Sequence, residues 1–311
     1  MSARTEGIAE SNGVNLAYEE FGEATAPAVL MIAGMSLQRI AWPDALCEAL
    51  ADAGYRVIRF DNRDVGASSW TMGPPPPTLP KRYLQAILGR PLSVSVGPGK
   101  EAQYDLHVLA LDAVGLLDAL QIERAHFVGF SMGGMIAQLV AATYPERVLS
   151  LTSIMSSPNE PSLPKPTPRV LLQLMKPLPG MDPDKLATAN ADMWTLIGSP
   201  AYPTPRDELI ASTHRVLARG MSEAGLAHHL MAILATGGFA DRLPKVRAPT
   251  LILHGSADPL VRVQGGALSA QLIPKARLRV IRGMGHDFPA QLVPTLASAI
   301  SSHLTHAHAT A

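Results

Sequence analysis

Six short apolar runs, at residues 28–32, 56–60, 125–130, 148–155, 250–253 and 277–281, lack the strict polar alternation of a half-solvated strand. That pattern predicts strands buried on both faces, as in a parallel sheet covered by helices. Between the runs, apolar residues recur at helical spacing over 43–53, 104–120, 132–144, 265–272 and 289–304. The succession of strand and helix predicts an α/β fold, with a mostly parallel open sheet flanked by helices. Residues 14–21 read as a further strand, paired antiparallel at the sheet edge.

Two segments break this rhythm. Residues 71–99 carry the run Pro74 to Pro77 and further prolines at Pro80, Pro91 and Pro98, which predicts an extended excursion with one short helix near 82–88. It reads as a surface loop in preference to a lid. Residues 157–238 begin proline-rich and then regain helical spacing, with Met193, Trp194, Leu196 and Ile197 in one stretch and Leu226, Leu230, Ile233 and Leu234 in another. Sheet strands flank this segment on both sides, so it is expected to be a helical cap inserted over the sheet's C-terminal edge, dividing the core into 1–156 and 239–311.

Bulk properties narrow the function classes. The 311 residues include 26 basic and 26 acidic ones, so no electrostatic footprint marks nucleic acid or an anionic membrane as a partner. A small molecule is the expected partner, and the oligomeric state is left open. The polar first eleven residues lack the apolar stretch of a secretory signal, and no apolar run is long enough to span a bilayer, so a soluble cytoplasmic protein is expected. Cys47 is the single cysteine, which excludes an intrachain disulfide and a multi-cysteine metal site; it reads as a buried structural thiol.

Chemistry enters at Gly129-Phe130-Ser131-Met132-Gly133, where the apolar run 125–130 gives way to a helical pattern. A serine between two glycines at a strand-to-helix junction is a nucleophile elbow, with its hydroxyl exposed at a helix N-terminus. Such a serine needs a base, and the base needs an acid to orient it. The run 250–253 leads into His254-Gly255-Ser256-Ala257-Asp258-Pro259, and the run 277–281 leads into Gly283-Met284-Gly285-His286. Taken alone, Asp258 could be a turn residue and His286 a structural loop histidine. Together with Ser131, each just past the end of its own strand, they form the expected catalytic set Ser131, Asp258 and His286, in the chain order of one known serine-hydrolase arrangement. Oxyanion donors are expected at the backbone N–H of Met132 and, after run 28–32, at that of Met35, beside Gly34. Met155 and Trp194 are candidate substrate-lining residues.

These motifs resemble the α/β-hydrolase fold over nearly the whole chain. Asp61-Asn62-Arg63-Asp64-Val65-Gly66-Ala67-Ser68 is similar to that family's D-x-R-G-x-G-x-S loop, with Asp64 in place of glycine, and Ala33-Gly34 is similar to its H-G pair, with alanine in place of histidine. Trp42-Pro43-Asp44, Val57-Ile58-Arg59-Phe60-Asp61, Asp64 and Gly283-Met284-Gly285-His286 resemble in particular the bacterial aclacinomycin methylesterases, which cleave a methyl ester from a glycosylated polyketide. The 71–99 segment is longer than that resemblance implies.

The expected activity is carboxylic ester hydrolysis through an acyl-enzyme, with neither cofactor nor metal required. With 13 methionines and only 5% aromatic residues, an adaptable pocket accepting several small to medium esters is expected. The other readings are a polyketide methylesterase, a carbon–carbon bond hydrolase, a lactonase, a cofactor-free haloperoxidase and, from a different class, a non-catalytic ligand-binding protein. Haloalkane dehalogenases and epoxide hydrolases of this fold use an aspartate nucleophile, which Ser131 excludes. Arg63 and Asp64 read as loop ion-pair residues. His228 and His229 fall on a predicted cap helix, and His303, His306 and His308 read as a frayed terminus.

Overall fold

The computed structural model describes residues 4–71, 74–90, 92–176 and 182–309. Strands β1 (Arg4–Ser11), β2 (Val14–Phe21), β3 (Ala28–Ile32), β4 (Arg56–Phe60), β5 (Ala125–Phe130), β6 (Val148–Ile154), β7 (Thr250–Gly255) and β8 (Arg277–Ile281) form one sheet. Their spatial order is β1-β2-β4-β3-β5-β6-β7-β8. β1 pairs with β2 and β2 with β4 in antiparallel fashion, and every pair from β4 across to β8 is parallel.

The apolar runs become central strands because both of their faces are covered. Successive side chains point to opposite sides. Leu30, Ile32, Ile58, Phe60 and Phe127 enter one apolar layer, under α3 (Leu106–Ala119) and α4 (Met132–Thr143). Val29, Met31, Val57, Val128 and Phe130 enter the other, under α1 (Asp44–Asp52) and α10 (Val293–Ala309). Each such burial stabilises the fold by roughly 1.5–3 kcal/mol before chain entropy is subtracted. Asp105 starts α3 by accepting the His107 and Val108 N–H groups at 2.9 and 3.1 Å. Cys47 packs in the second layer, and burial pushes its thiol up to about 12, so it stays protonated and inert.

The chain leaves β3 for β4 on one side, yet β3 pairs with β5 on the other. The crevice at such a reversal, beyond the C-terminal ends of the strands, is where open α/β sheets bind ligands. The segment between β6 and β7 supplies α5 (Pro168–Leu174), α6 (Pro183–Ile197), α7 (Arg206–Ala218) and α8 (Glu223–Thr236). The proline-rich excursion holds α2 (Leu79–Ile87), and no residue of α2 is buried. Pro91 of that excursion lies outside the described residues. Among the described residues, no helix is long and apolar enough to cross a membrane.

Three features differ from the sequence expectation. β1 is a real strand, joined to β2 through Asn12 and Gly13 at φ 49° and 75°. Positive φ at both central residues is the two-residue hairpin turn that Asn-Gly favours. β8 is an exposed edge, its Leu278 and Val280 partly in solvent between Arg277, Arg279 and Arg282. Charged residues along such an edge discourage pairing with another chain.

The third correction concerns the C-terminal histidines. α10 continues to Ala309, and its face Leu296, Ile300, Leu304 and Ala307 is buried. His303 lies on that docked helix, with Nε2 donating to Leu151 O at 3.1 Å and Nδ1 accepting from Arg277 at 3.3 Å. This neutral tautomer is held by burial, which pushes the ring down to about 4. The unfolded chain binds this proton more readily, so the stabilisation is complete above about pH 6.5 and is lost as pH falls toward 4. Denaturant titrations at pH 7 and pH 4 are expected to show a loss from this ring of up to roughly 3 kcal/mol. His303→Gln should flatten that dependence, and an unchanged pH dependence in the variant would refute the assignment.

Candidate active site

Ser131 follows the last residue of β5 directly and precedes the first turn of α4. Its φ of 56° and ψ of −120° are an unfavourable conformation for a side-chain-bearing residue, at a cost of about 1–3 kcal/mol. The surroundings enforce it. Ser131 N donates to Ile154 O at 2.9 Å, while the Gly134 and Met135 N–H groups donate to Ser131 O at 2.9 and 3.1 Å. Close backbone approach explains the flanking residue types: a Cβ at Gly129 would lie 2.1 Å from Gly133 O, and one at Gly133 would lie 2.0 Å from Ile32 O. Glycine at 133 therefore lets the end of β3 lie against the elbow.

The three residues expected to act together meet. His286 Nε2 is 3.0 Å from Ser131 Oγ, and His286 Nδ1 is 2.7 Å from Asp258 Oδ2. The other carboxylate oxygen of Asp258 accepts the Leu260 and Val261 N–H groups, both at 2.9 Å. Asp258 is thereby fixed in a buried position with one oxygen left for the imidazole. Phe130 stacks obliquely against the His286 ring at 5.2 Å and so holds its plane. A Cβ at Gly255 would lie 2.2 Å from Met284 O, so a small residue there is what lets the β7 and β8 loops approach. A hydroxyl on an imidazole whose far nitrogen rests on a carboxylate is a geometry for transferring the hydroxyl proton to the ring.

Behind this chain lies His254, fully buried at the end of β7. Its Nε2 donates to Val261 O at 2.8 Å and stands 3.6 Å from Asp258 Oδ2. Burial lowers its affinity for a proton, so the ring packs beside Asp258 in neutral form with its N–H committed to Val261 O. Asp287, next to His286, is half-buried, and desolvation raises its carboxyl above the ordinary value.

The segment following α6 straps the histidine loop. Ile197 O accepts the His286 N–H at 2.8 Å. Ser199 Oγ accepts the Gly285 N–H at 2.8 Å and donates to Asp287 Oδ1. Residues 197–199 are not identifiable from the sequence, because the contacts use backbone groups and a common serine.

Of the other expected site residues, Gly34 places the β3 loop beside the elbow: a Cβ there would lie 3.2 Å from Ser131 Cβ. Met35 follows it, partly buried, and the side chain of Met132 is buried in the first apolar layer. The first N–H groups of a helix have no intrahelical acceptor, so Met132 N–H at the start of α4 is available to a ligand. Met155 is fully buried in the second layer at φ 48°, its N–H on Leu253 O at 2.8 Å. Trp194 lies on α6, half-buried, and its carbonyl accepts the Gly198 N–H at 2.8 Å. Arg63 pairs with Asp112 and not with Asp64. Asp64 has φ 65°, which explains why glycine suits the position; here its carboxylate is held by Thr71 N–H and the Tyr104 hydroxyl.

His229 is completely buried, with Nδ1 accepting the Ser36 N–H at 3.0 Å and Nε2 donating to Arg63 O at 2.8 Å. Both nitrogens are thus taken by backbone groups. Burial pushes this ring down to about 4, against the opposing pull of Arg63 O and the Asp64 charge. Nearby, Asp61 gathers Arg39 and Arg219, and Arg219 also donates to Gln38 Oε1 at 2.9 Å. The D-x-R motif points to Asp61 and Arg63 as loop residues, but their partners on α8 and at the end of α7 have no sequence signal.

This site, at the reversal of a parallel sheet and served by loops after β3, β5, β7 and β8, defines a hydrolase of a known architecture. Residues 27–290 match the alpha/beta hydrolase fold family, and the chain belongs to it. The chain is 31% identical to the rhodomycin D methylesterase DauP of Streptomyces sp. (strain C5), across 93% of this chain and 95% of that protein. It is 29% identical to the rhodomycin D methylesterase DnrP of Streptomyces peucetius, with the same coverage of 93% and 95%. Among solved structures, a hydrolase from Pseudomonas aeruginosa PA01 superposes with a TM-score of 0.70 at 26% identity, covering 96% of this chain and 98% of that one.

Proposed function

We propose that the chain is a carboxylic ester hydrolase in which Ser131 is the nucleophile, His286 the general base and Asp258 the acid that orients it. The observation that carries this reading is the hydrogen-bonded chain from Ser131 Oγ through His286 to Asp258, at 3.0 and 2.7 Å. As Ser131 Oγ bonds to the ester carbonyl carbon, its proton passes to His286 Nε2 and the carbonyl electron pair moves onto oxygen. The Met35 and Met132 N–H groups are the donors assigned to that oxyanion. Collapse breaks the carbon–oxygen ester bond, and the alcohol leaves with the proton from His286. Water then attacks the acyl-enzyme by the same route and frees Ser131.

The substrate class in this reading is small to medium esters, with α5–α8 acting as the cap that shapes the pocket. A second reading, a methyl ester on a bulky polyketide-like acid, is favoured by the similarity to two rhodomycin D methylesterases over 93% of the chain. A panel varying acyl and alcohol parts separately tests both, alongside a fluorophosphonate probe with peptide mapping. The expected result is labelling at Ser131 and rates that stay within about tenfold across short acyl chains, the discrimination one methylene allows in an apolar pocket. A sharp optimum on a bulky methyl ester selects the second reading. Stoichiometric binding of esters with no turnover by the folded protein would overturn the enzymatic reading altogether.

A further inference from the structure

Gly34-Met35-Ser36-Leu37 forms a turn closed by Leu37 N–H on Gly34 O at 3.1 Å. Ser36 has φ 57°, whereas Met35 is not among the residues of positive φ. That combination is a type II turn, whose third position is ordinarily glycine or asparagine. A serine held there is strained and keeps the shape only where neighbours over-determine it. The type I alternative differs by a flip of the central peptide, here the one joining Met35 to Ser36. The flip changes ψ of Met35 and φ of Ser36 and turns over the Met35 carbonyl and the Ser36 N–H, whereas the Met35 N–H, on the preceding peptide, is placed by where the turn as a whole is fastened.

The Ser36 N–H belongs to that central peptide, and its acceptor is His229 Nδ1 at 3.0 Å. The opposite nitrogen is committed to Arg63 O at 2.8 Å, which leaves a single tautomer able to satisfy both backbone groups. The ring is sealed from water and braced by Tyr104, whose ring meets it edge-on at 6.4 Å. A second stitch lies two residues along, where Gln38 Nε2 donates to Val216 O and Gly220 O at 2.9 and 2.8 Å. The β3 loop is thus fastened to the segment between β6 and β7 at two points.

We propose that His229 is a positioning residue, an imidazole delivered by α8 that fixes the Met35–Ser36 peptide and, by fastening the strained 34–37 turn in place, holds the loop that carries the Met35 N–H beside Ser131. This role rests on the ester-hydrolase reading. It makes half of the oxyanion site depend on a helix inserted between β6 and β7, and it gives a buried histidine outside the Ser131, His286 and Asp258 chain a defined task.

The test compares His229→Phe, His229→Gln and the double variant His229→Phe with Ser36→Gly, using p-nitrophenyl butyrate and an alkyl boronic acid that forms a tetrahedral adduct. Loss of one aimed oxyanion donor predicts that His229→Phe lowers kcat about 100-fold while KM moves by less than about threefold. Boronic acid affinity is expected to fall in parallel, because it samples the tetrahedral state. His229→Gln offers an amide oxygen to Ser36 and an amide N–H to Arg63, so it should recover at least about tenfold of the loss. Ser36→Gly removes the penalty for positive φ and should raise kcat in the Phe background. A folded Phe variant with undiminished kcat overturns the proposal. So does a failure of both the Gln replacement and the added glycine to restore activity, a comparison that remains decisive if the Phe single variant does not fold. Turnover retained by Ser131→Ala would instead overturn the parent reading, and that control is scored separately.

Discussion

Ser131→Ala is expected to lower kcat on short-chain p-nitrophenyl esters by on the order of 10⁶-fold, the loss seen when a serine nucleophile is removed. The change deletes one oxygen and nothing else. Ser131 keeps its Cβ, its N–H on Ile154 O and its carbonyl contacts with Gly134 and Met135, so the elbow is preserved. Thermal stability should stay within about 1 kcal/mol of the parent, because no core group is lost. What disappears is the atom 3.0 Å from His286 Nε2 that would form the acyl bond. Initial rates with mass-spectrometric detection of the trapped acyl-enzyme check this. Turnover within tenfold of the parent, by a variant with native circular dichroism, would remove Ser131 from the mechanism.

Asp258→Asn is expected to cost about 10⁴-fold in kcat, and the structure says through which atoms. One oxygen of Asp258 accepts two backbone N–H groups, from Leu260 and Val261. An asparagine placed here must keep its amide oxygen on those donors, which turns its NH₂ group toward His286 Nδ1. The imidazole then accepts at Nδ1 and carries its proton at Nε2, the nitrogen that faces Ser131. A ring protonated at that position cannot accept the serine proton. KM should change little, since no substrate contact is altered, and the fold should persist because the carboxamide fills the same volume. Steady-state kinetics with an NMR assignment of the His286 tautomer test both halves. A loss below tenfold, or a ring still unprotonated at Nε2, contradicts the argument.

Much of this architecture is legible in the sequence because the central strands are covered on both faces and therefore read as unbroken apolar runs. The meeting of Ser131, Asp258 and His286 is legible for a related reason, since each lies just beyond the end of its own strand in a sheet whose C-terminal rim is continuous. β1 escapes that reading because most of its residues face solvent and only its pairing with β2 organises it. The Asn12-Gly13 turn is the signal that marks it. His303 is misplaced by reading polarity near a terminus as fraying, when the spacing of Leu296, Ile300, Leu304 and Ala307 carries the helix onward. The contacts of His229, Ser199 and Ile197 are illegible for a deeper reason: each joins a side chain or carbonyl on the inserted segment to backbone groups far away in the chain. No local pattern encodes such a contact.

The strap at residues 197–199 bears on how such proteins exchange specificity. An insert between two strands looks like an interchangeable part, to be swapped among relatives for a new substrate range while the engine beneath stays constant. Here the insert brings a carbonyl at Ile197 for the His286 N–H and a hydroxyl at Ser199 for Gly285. A chimera carrying a foreign 157–238 segment would have to reproduce those groups at their places. Evolution of the pocket in this chain is therefore tied to upkeep of the histidine loop, and the two cannot drift independently.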